Sequence, residues 1–120
     1  MRSLSFLFNP SRLAAGLTLF LVAGAVSLHG NHGHHTAFIK SDGSLWGMGV
    51  NNNGELGDGT TTNRTTPVEI VSSGVVSVAT GSDHTMFIKS DGSLWATGHN
   101  GSGQLGDGTT MERHTPVQVV

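Results

Sequence analysis

From His35 onward the chain alternates short β-branched or aromatic runs with turns rich in Gly, Asp and Asn, and almost no run favours helix. Thr36–Lys40 and Ser44–Met48 are two apolar runs flanking Ser41-Asp42-Gly43. An Asp-Gly pair in that setting predicts a tight hairpin, because both residues tolerate the positive φ of a type I′ turn. The same signal returns at Asp91-Gly92. Pro67–Val71 and Val75–Ala79 flank Ser72-Ser73-Gly74 and predict another hairpin, with Pro67 opening its strand where no ladder donor is needed. Between them, Asn51 to Gly59 is too rich in glycine for a strand and predicts a compact loop anchored by Leu56. The predicted strands are 35–40, 44–48, 67–71, 75–79, 84–89, 93–97 and 116–120. The four strands spanning 67–97 are expected to form one complete antiparallel meander, with a partial meander on each side.

The pattern is periodic. Residues 35–71 recur at 84–120, an offset of 49, with 25 of 37 aligned positions identical. Self-similarity at such a period marks a modular repeat fold, and four-stranded units of this length are blades of a β-propeller. The two copies also serve as an internal comparison. What both carry is demanded by the fold, and what one carries is free to specialise.

The shared residues are His-Thr-x-Phe-Ile-Lys-Ser-Asp-Gly-Ser-Leu-Trp, then Asn-x-x-Gly-x-Leu-Gly-Asp-Gly-Thr-Thr, then Arg-x-Thr-Pro-Val. This pattern resembles the regulator of chromosome condensation repeat, in its bacterial form. The resemblance implies an all-β fold, a partial β-propeller of four-stranded antiparallel blades, and architectural roles for the signature residues. Blades of that family close into a ring, so the resemblance also implies self-association or further blades. One departure stands out. Gly81 lies three residues before His84, whereas His32 holds that place before His35, so the strand entering the first unit is expected to be irregular or missing.

The first thirty residues follow another pattern. Arg2 and Arg12 precede an uncharged, largely apolar run from Leu13 to Leu28, and small residues offer cleavage after Ala25 (Ala23-Gly24-Ala25) or after Ser27 (Ala25-Val26-Ser27). That succession predicts a signal peptide over 1–25 and an exported protein. A membrane anchor over 13–28 is the alternative, although the run is short of the ~20 residues that span a bilayer. The expected organisation is therefore signal peptide (1–25), a His- and Gly-rich mature N-terminus (26–34), repeat 1 (35–83) and a truncated repeat 2 (84–120). Without residues 1–25 the chain has four cations, Lys40, Arg64, Lys89 and Arg113, against eight acids. Four scattered cations cannot track a phosphate backbone, which argues against nucleic acid. Cysteine is absent, so packing alone must stabilise the fold.

Several clusters invite a chemical reading. His29, His32, His34 and His35 fall within seven residues and carry imidazoles suited to copper, nickel or zinc. His35 recurs as His84, however, and the rest sit on a glycine-containing segment with nothing to organise them. Asn51 to Glu55 with Asp58 has the flavour of a calcium loop, but its second copy keeps only Asp107 among the acids. His35, Asp42 and Ser44 could form a catalytic set, yet the trio is duplicated as His84, Asp91 and Ser93, two of the three in a hairpin turn. Trp46 and Trp95 read as blade-packing aromatics. Asn63-Arg64-Thr65 and Asn100-Gly101-Ser102 are formal glycosylation sequons. No catalytic, metal or cofactor site is expected over residues 36–120.

The loop positions that differ between the copies are better candidates for recognition. Val50, Asn52, Asn53, Glu55, Thr62, Asn63 and Thr65 become His99, Gly101, Ser102, Gln104, Met111, Glu112 and His114. The expected function is an exported, non-enzymatic repeat protein that binds a protein or a cell-surface polymer. The alternative is a propeller-based enzyme or enzyme inhibitor, since related secreted propellers include β-lactamase inhibitors. Nucleotide exchange on a Ran-type GTPase, which the eukaryotic namesake implies, conflicts with an export signal.

Overall fold

The computed structural model describes residues 34–120, and the predicted signal peptide, the 13–28 run and His29 to His32 lie outside the described residues. Seven strands follow in order: β1 (His35–Ile39), β2 (Leu45–Gly49), β3 (Arg64–Val71), β4 (Val75–Thr80), β5 (His84–Lys89), β6 (Leu94–Gly98) and β7 (Arg113–Gln118). They form two antiparallel sheets, β1-β2-β3 and β4-β5-β6-β7.

Each of the seven expected strands is found, the two outer ones with shifted ends, but their partition into blades differs. The expected meander over 67–97 does not form. β3 pairs with β2 (Trp46 opposite Glu69, Gly49 opposite Arg64), so the blade boundary falls at Ser72–Gly74. Ser72-Ser73-Gly74 is thus a step between sheets and not a hairpin. It is held there from both sides: Val75 N donates to Gly43 O at 3.0 Å, and Ser90 N to Gly74 O at 2.8 Å. The complete blade is β4 to β7, and the last strand closes that blade instead of opening a third. Among the described residues the first blade has three strands, and the segment before His35, where the entering strand is expected to be irregular or missing, lies outside the described residues.

Both outer strands begin earlier than the sequence suggests, at Arg64 and Arg113. Pro67 and Pro116 accordingly sit inside β3 and β7. These are edge strands, where a missing amide donor is tolerated. The Asp-Gly turns also differ from type I′. Gly43 N donates to Lys40 O at 2.9 Å and Lys40 N to Ser44 O at 2.9 Å, which makes a three-residue loop ending on a left-handed Gly43 (φ 83°).

The core lies mainly between the blades. Ala37 and Leu45 of the first blade meet Val75 and Phe87 of the second, and Ile39, Ile70, Val71, Val78 and Trp95 pack around them. Among the described residues Phe87 is the largest fully buried side chain, stacked on Trp95 with ring centroids 6.4 Å apart. Burying each such side chain contributes roughly 1.5–3 kcal/mol. Trp95 itself is half-buried: its indole N–H donates to Ser93 Oγ at 2.8 Å, and the Lys89 ammonium lies 4.2 Å from its ring centroid. Trp46 repeats this with Ser44 and Lys40. Trp95→Ala is therefore expected to cost about 2 kcal/mol, short of the ~3–5 kcal/mol of a fully buried aromatic. Urea denaturation followed by circular dichroism measures this. A cost below about 0.5 kcal/mol would show that the stack on Phe87 adds nothing.

Candidate functional site

The loops joining β2 to β3 and β6 to β7 hold most of the positions that differ between the copies, and each is built on a buried asparagine. The Asn51 side chain donates to Thr60 O at 3.0 Å, to Thr62 O at 3.1 Å and to Asp58 Oδ1 at 3.1 Å, and accepts from Leu56 N at 2.9 Å. Asn100 makes the equivalent bonds to Thr109 O, Met111 O, Asp107 and Leu105 N. A single side chain thus spans a loop far longer than a hairpin turn and returns it to the strand it left. Leu56 and Leu105 are buried beneath these loops, as their pattern predicts.

Asp58 completes the frame. Oδ1 accepts from Thr60 N and Oγ1, and Oδ2 takes the Arg64 guanidinium at 2.8 Å. Burial opposes ionisation here, but bonds from Thr60 and Arg64 outweigh it and hold the carboxyl below its ordinary range. Asp107 is held well below that range by Thr109 and Arg113, whose guanidinium lies at 2.7 Å. Both carboxylates are thus occupied by the loop's own donors. Among the described residues no group of three or more His, Asp or Glu side chains is placed to hold a metal ion.

The duplicated trio is not assembled as a relay. Ser44 Oγ donates to Asp42 Oδ1 at 2.6 Å and accepts from Trp46 Nε1, so the hydroxyl is spent within its own turn. Ser93 and Asp91 repeat this at 2.7 Å. The bonds from Ser44 and Ser93 lower the pKa of Asp42 and Asp91. His35 turns to the other blade, with Nε2 lying 2.8 Å from Thr85 Oγ1. Of the two sequons, Asn63 is exposed, while Asn100 is buried with its amide consumed by the loop.

The variable positions divide into two groups. Asn52, Thr62, Asn63 and Thr65 of the first copy are exposed, as are Gly101, Ser102, Met111, Glu112 and His114 of the second. His114 pairs with Glu112 at 2.6 Å, and Met111 is 61% exposed. Glu55 departs from the expectation of a recognition residue. It is buried against the second blade, accepts from Asn53 N at 2.7 Å, and offers its carbonyl to Thr85.

Sequence reasoning missed the residues that join the blades. Thr85 donates to Glu55 O at 2.7 Å, and the Thr97 hydroxyl lies 2.8 Å from Gly54 O and 2.9 Å from Arg113 O. The available signal was Thr97, which stands where the first copy has Met48. Since Thr85 gives its only proton to Glu55, His35 Nε2 must be the donor to Thr85. Nδ1 is then an unprotonated nitrogen, buried without a partner. Burial, helped by nearby His84 and opposed by Asp83, lowers the His35 pKa from 6.5 to about 4.

A histidine with a depressed folded pKa stabilises the fold above its unfolded pKa and loses that contribution as pH falls. Stability is expected to decline from about pH 6.5 to pH 4 by up to ~3 kcal/mol. His84, whose pKa burial also lowers, acts in the same direction. Denaturation midpoints at pH 7.5 and 4.5 test this, with His35→Gln expected to flatten the difference. An equal decline in that variant assigns the effect elsewhere.

Comparison with known proteins agrees with this geometry. The model of the regulator of chromosome condensation (RCC1) repeat matches residues 42–88 and 91–120, and a second model of the same repeat matches 75–104. The chain belongs to the RCC1 repeat family. Among solved structures it is similar to human WBSCR16 (23% identity, TM-score 0.65), covering 72% of this chain and 23% of that one. It is also similar to Prp20p from Saccharomyces cerevisiae (20% identity, TM-score 0.65), covering 72% of this chain and 24% of that one. A third match is yeast RCC1 bound to Kap60 (21% identity, TM-score 0.65), covering 73% and 23%. No curated protein sequence matches. The two sheets are therefore blades of a partial RCC1-type β-propeller, and the chain spans about a quarter of the structures it resembles.

Proposed function

We propose that this RCC1-repeat chain is an exported, non-enzymatic scaffold that binds a protein through the loops joining β2 to β3 and β6 to β7. The observation that carries the reading is the contrast within those loops. The Asn–Asp–Arg frame is identical in both blades, whereas the exposed residues mounted on it differ, Thr62-Asn63 becoming Met111-Glu112. A rigid frame with a changing surface is how repeat scaffolds place recognition. Solved relatives lend support. The Prp20p structure is described with its binding to Gsp1p and histones, and yeast RCC1 is bound to Kap60. Export rests on the charged, apolar and small-residue succession of residues 1–25.

The test is capture from the medium and cell surface of the producing cells, using the full chain and a variant carrying Met111→Thr, Glu112→Asn and His114→Thr. These changes give the second blade the side chains that the first carries at Thr62, Asn63 and Thr65, and they leave Asn100, Asp107 and Arg113 in place. Loss of a stoichiometric protein partner in the variant supports the reading. Capture that is unaffected by the substitutions, or turnover of a substrate by the purified chain, overturns it. N-terminal sequencing of the native product decides export, and a retained Met1 on a cytoplasmic species sinks it.

A further inference from the structure

We propose that the second blade docks onto the first blade of another copy of this chain, head to tail, through the same interface that joins the two blades internally. Equivalent residues on the two blades have different surroundings. Ile39 packs against the core between the blades, whereas its counterpart Ile88 is 40% exposed. Ala37, Leu45 and His35 are buried, and their counterparts Met86, Leu94 and His84 are half-exposed.

The glycines show the same contrast in a form independent of side-chain size. A Cβ on Gly54 would sit 2.7 Å from His114 Cα and 2.9 Å from Arg113 O, while one on Gly103 would meet nothing within 4 Å. Gly43 and Gly59 face Gly74 and Thr115 of the second blade, but Gly92 and Gly108 face open space. The φ angles of Gly54 and Gly103, 78° and 76°, are nearly equal, so the loops have one shape and only the first has its seat.

The first blade offers such a seat. Internally, His35 reaches Thr85, Thr85 reaches the Glu55 carbonyl, and Gly59 N donates to His114 O at 2.8 Å. Between copies, His84 would reach Thr36, Thr36 the Gln104 carbonyl, and Gly108 N the Thr65 carbonyl. Thr36 and Phe38 are half-exposed on the face equivalent to that on which Thr85 and Phe87 are buried. One bond is lost, because Met48 stands in place of Thr97. The contact is heterologous, since each copy contributes a different face.

Size exclusion with light scattering on the full chain tests this, with circular dichroism as the check on folding. The wild type is expected to show a mass of two or more copies at on the order of 100 µM. Ile88→Lys and Thr36→Lys should each fall to one copy while remaining folded, and their equimolar mixture should recover a two-copy complex through the one intact pair of faces. Gly103→Ala, whose methyl is unobstructed within one chain, should weaken association at least tenfold and is the second probe of the Ile88 face. A single-copy wild type overturns the proposal and leaves the face to another occupant. Assembly that survives Ile88→Lys overturns it too, as does loss with Ile88→Lys but not Thr36→Lys, which denotes a symmetric contact.

Discussion

Asn51→Ala is expected to cost about 3–5 kcal/mol, a large part of the roughly 5–10 kcal/mol that stabilises a domain of this size. The side chain is fully buried and serves four backbone or side-chain groups at once. Removing it leaves Leu56 N, in the buried floor of the loop, without an acceptor and frees two carbonyls of their donor. Each buried polar group left unmet costs ~1–3 kcal/mol. The methyl of alanine supplies neither donor nor acceptor. Asn51→Asp should be no milder, since the carboxylate keeps the acceptor for Leu56 but loses both N–H donors and faces Asp58. Urea denaturation followed by circular dichroism reads the effect. A loss under about 1 kcal/mol would show that the loop is held by the Asp58–Arg64 pair alone.

That asparagine also explains where the sequence misleads. Strand positions are legible because each strand is short, β-branched and flanked by turn residues, so local chemistry decides it. Blade membership is not local. Three residues, Ser72-Ser73-Gly74, separate β3 from β4, and fourteen separate β2 from β3, yet it is the distant pair that forms the ladder. The long loop behaves as a tight connection because Asn51 spans it from within. In sequence Asn51 is one of three consecutive asparagines, and only its recurrence as Asn100 distinguishes it.

The candidate site shows the same division. Thr62, Met111 and Glu112 differ between the copies and lie exposed on the loops, while Asn63 is exposed but also accepts from Asn51 N at 2.8 Å. Comparing the copies fails for Glu55, because a residue also differs between units when one of them faces a neighbouring blade and the other faces open space. Ala37 with Met86 and Met48 with Thr97 vary on the strands themselves. Variation thus carries two messages, recognition and blade order, and burial is needed to tell them apart. Asn52 and Thr62 lie exposed, whereas Glu55 lies under the second blade.

The pair Gly54→Ala and Gly103→Ala turns that distinction into a measurement. Both residues hold a left-handed backbone, at φ 78° and 76°, so alanine pays the same conformational penalty of about 1–2 kcal/mol at either site. The methyl groups then meet different surroundings. At Gly54 the nearest atoms include His114 Cα at 2.7 Å and Arg113 O at 2.9 Å, backbone of β7 that cannot rotate away. Relieving that overlap must lift the loop from the second blade and weaken the Thr97 and Thr85 bonds to Gly54 O and Glu55 O. Overpacking of this kind adds ~1–3 kcal/mol. Gly54→Ala is accordingly expected to lose about 2–5 kcal/mol and Gly103→Ala about 1–2 kcal/mol, measured on dilute protein where association does not contribute. The difference isolates the contact between blades from the strain of the turn. Equal losses at the two positions would mean that the loop of the first blade is not seated on the second, and the internal interface would have to be redrawn.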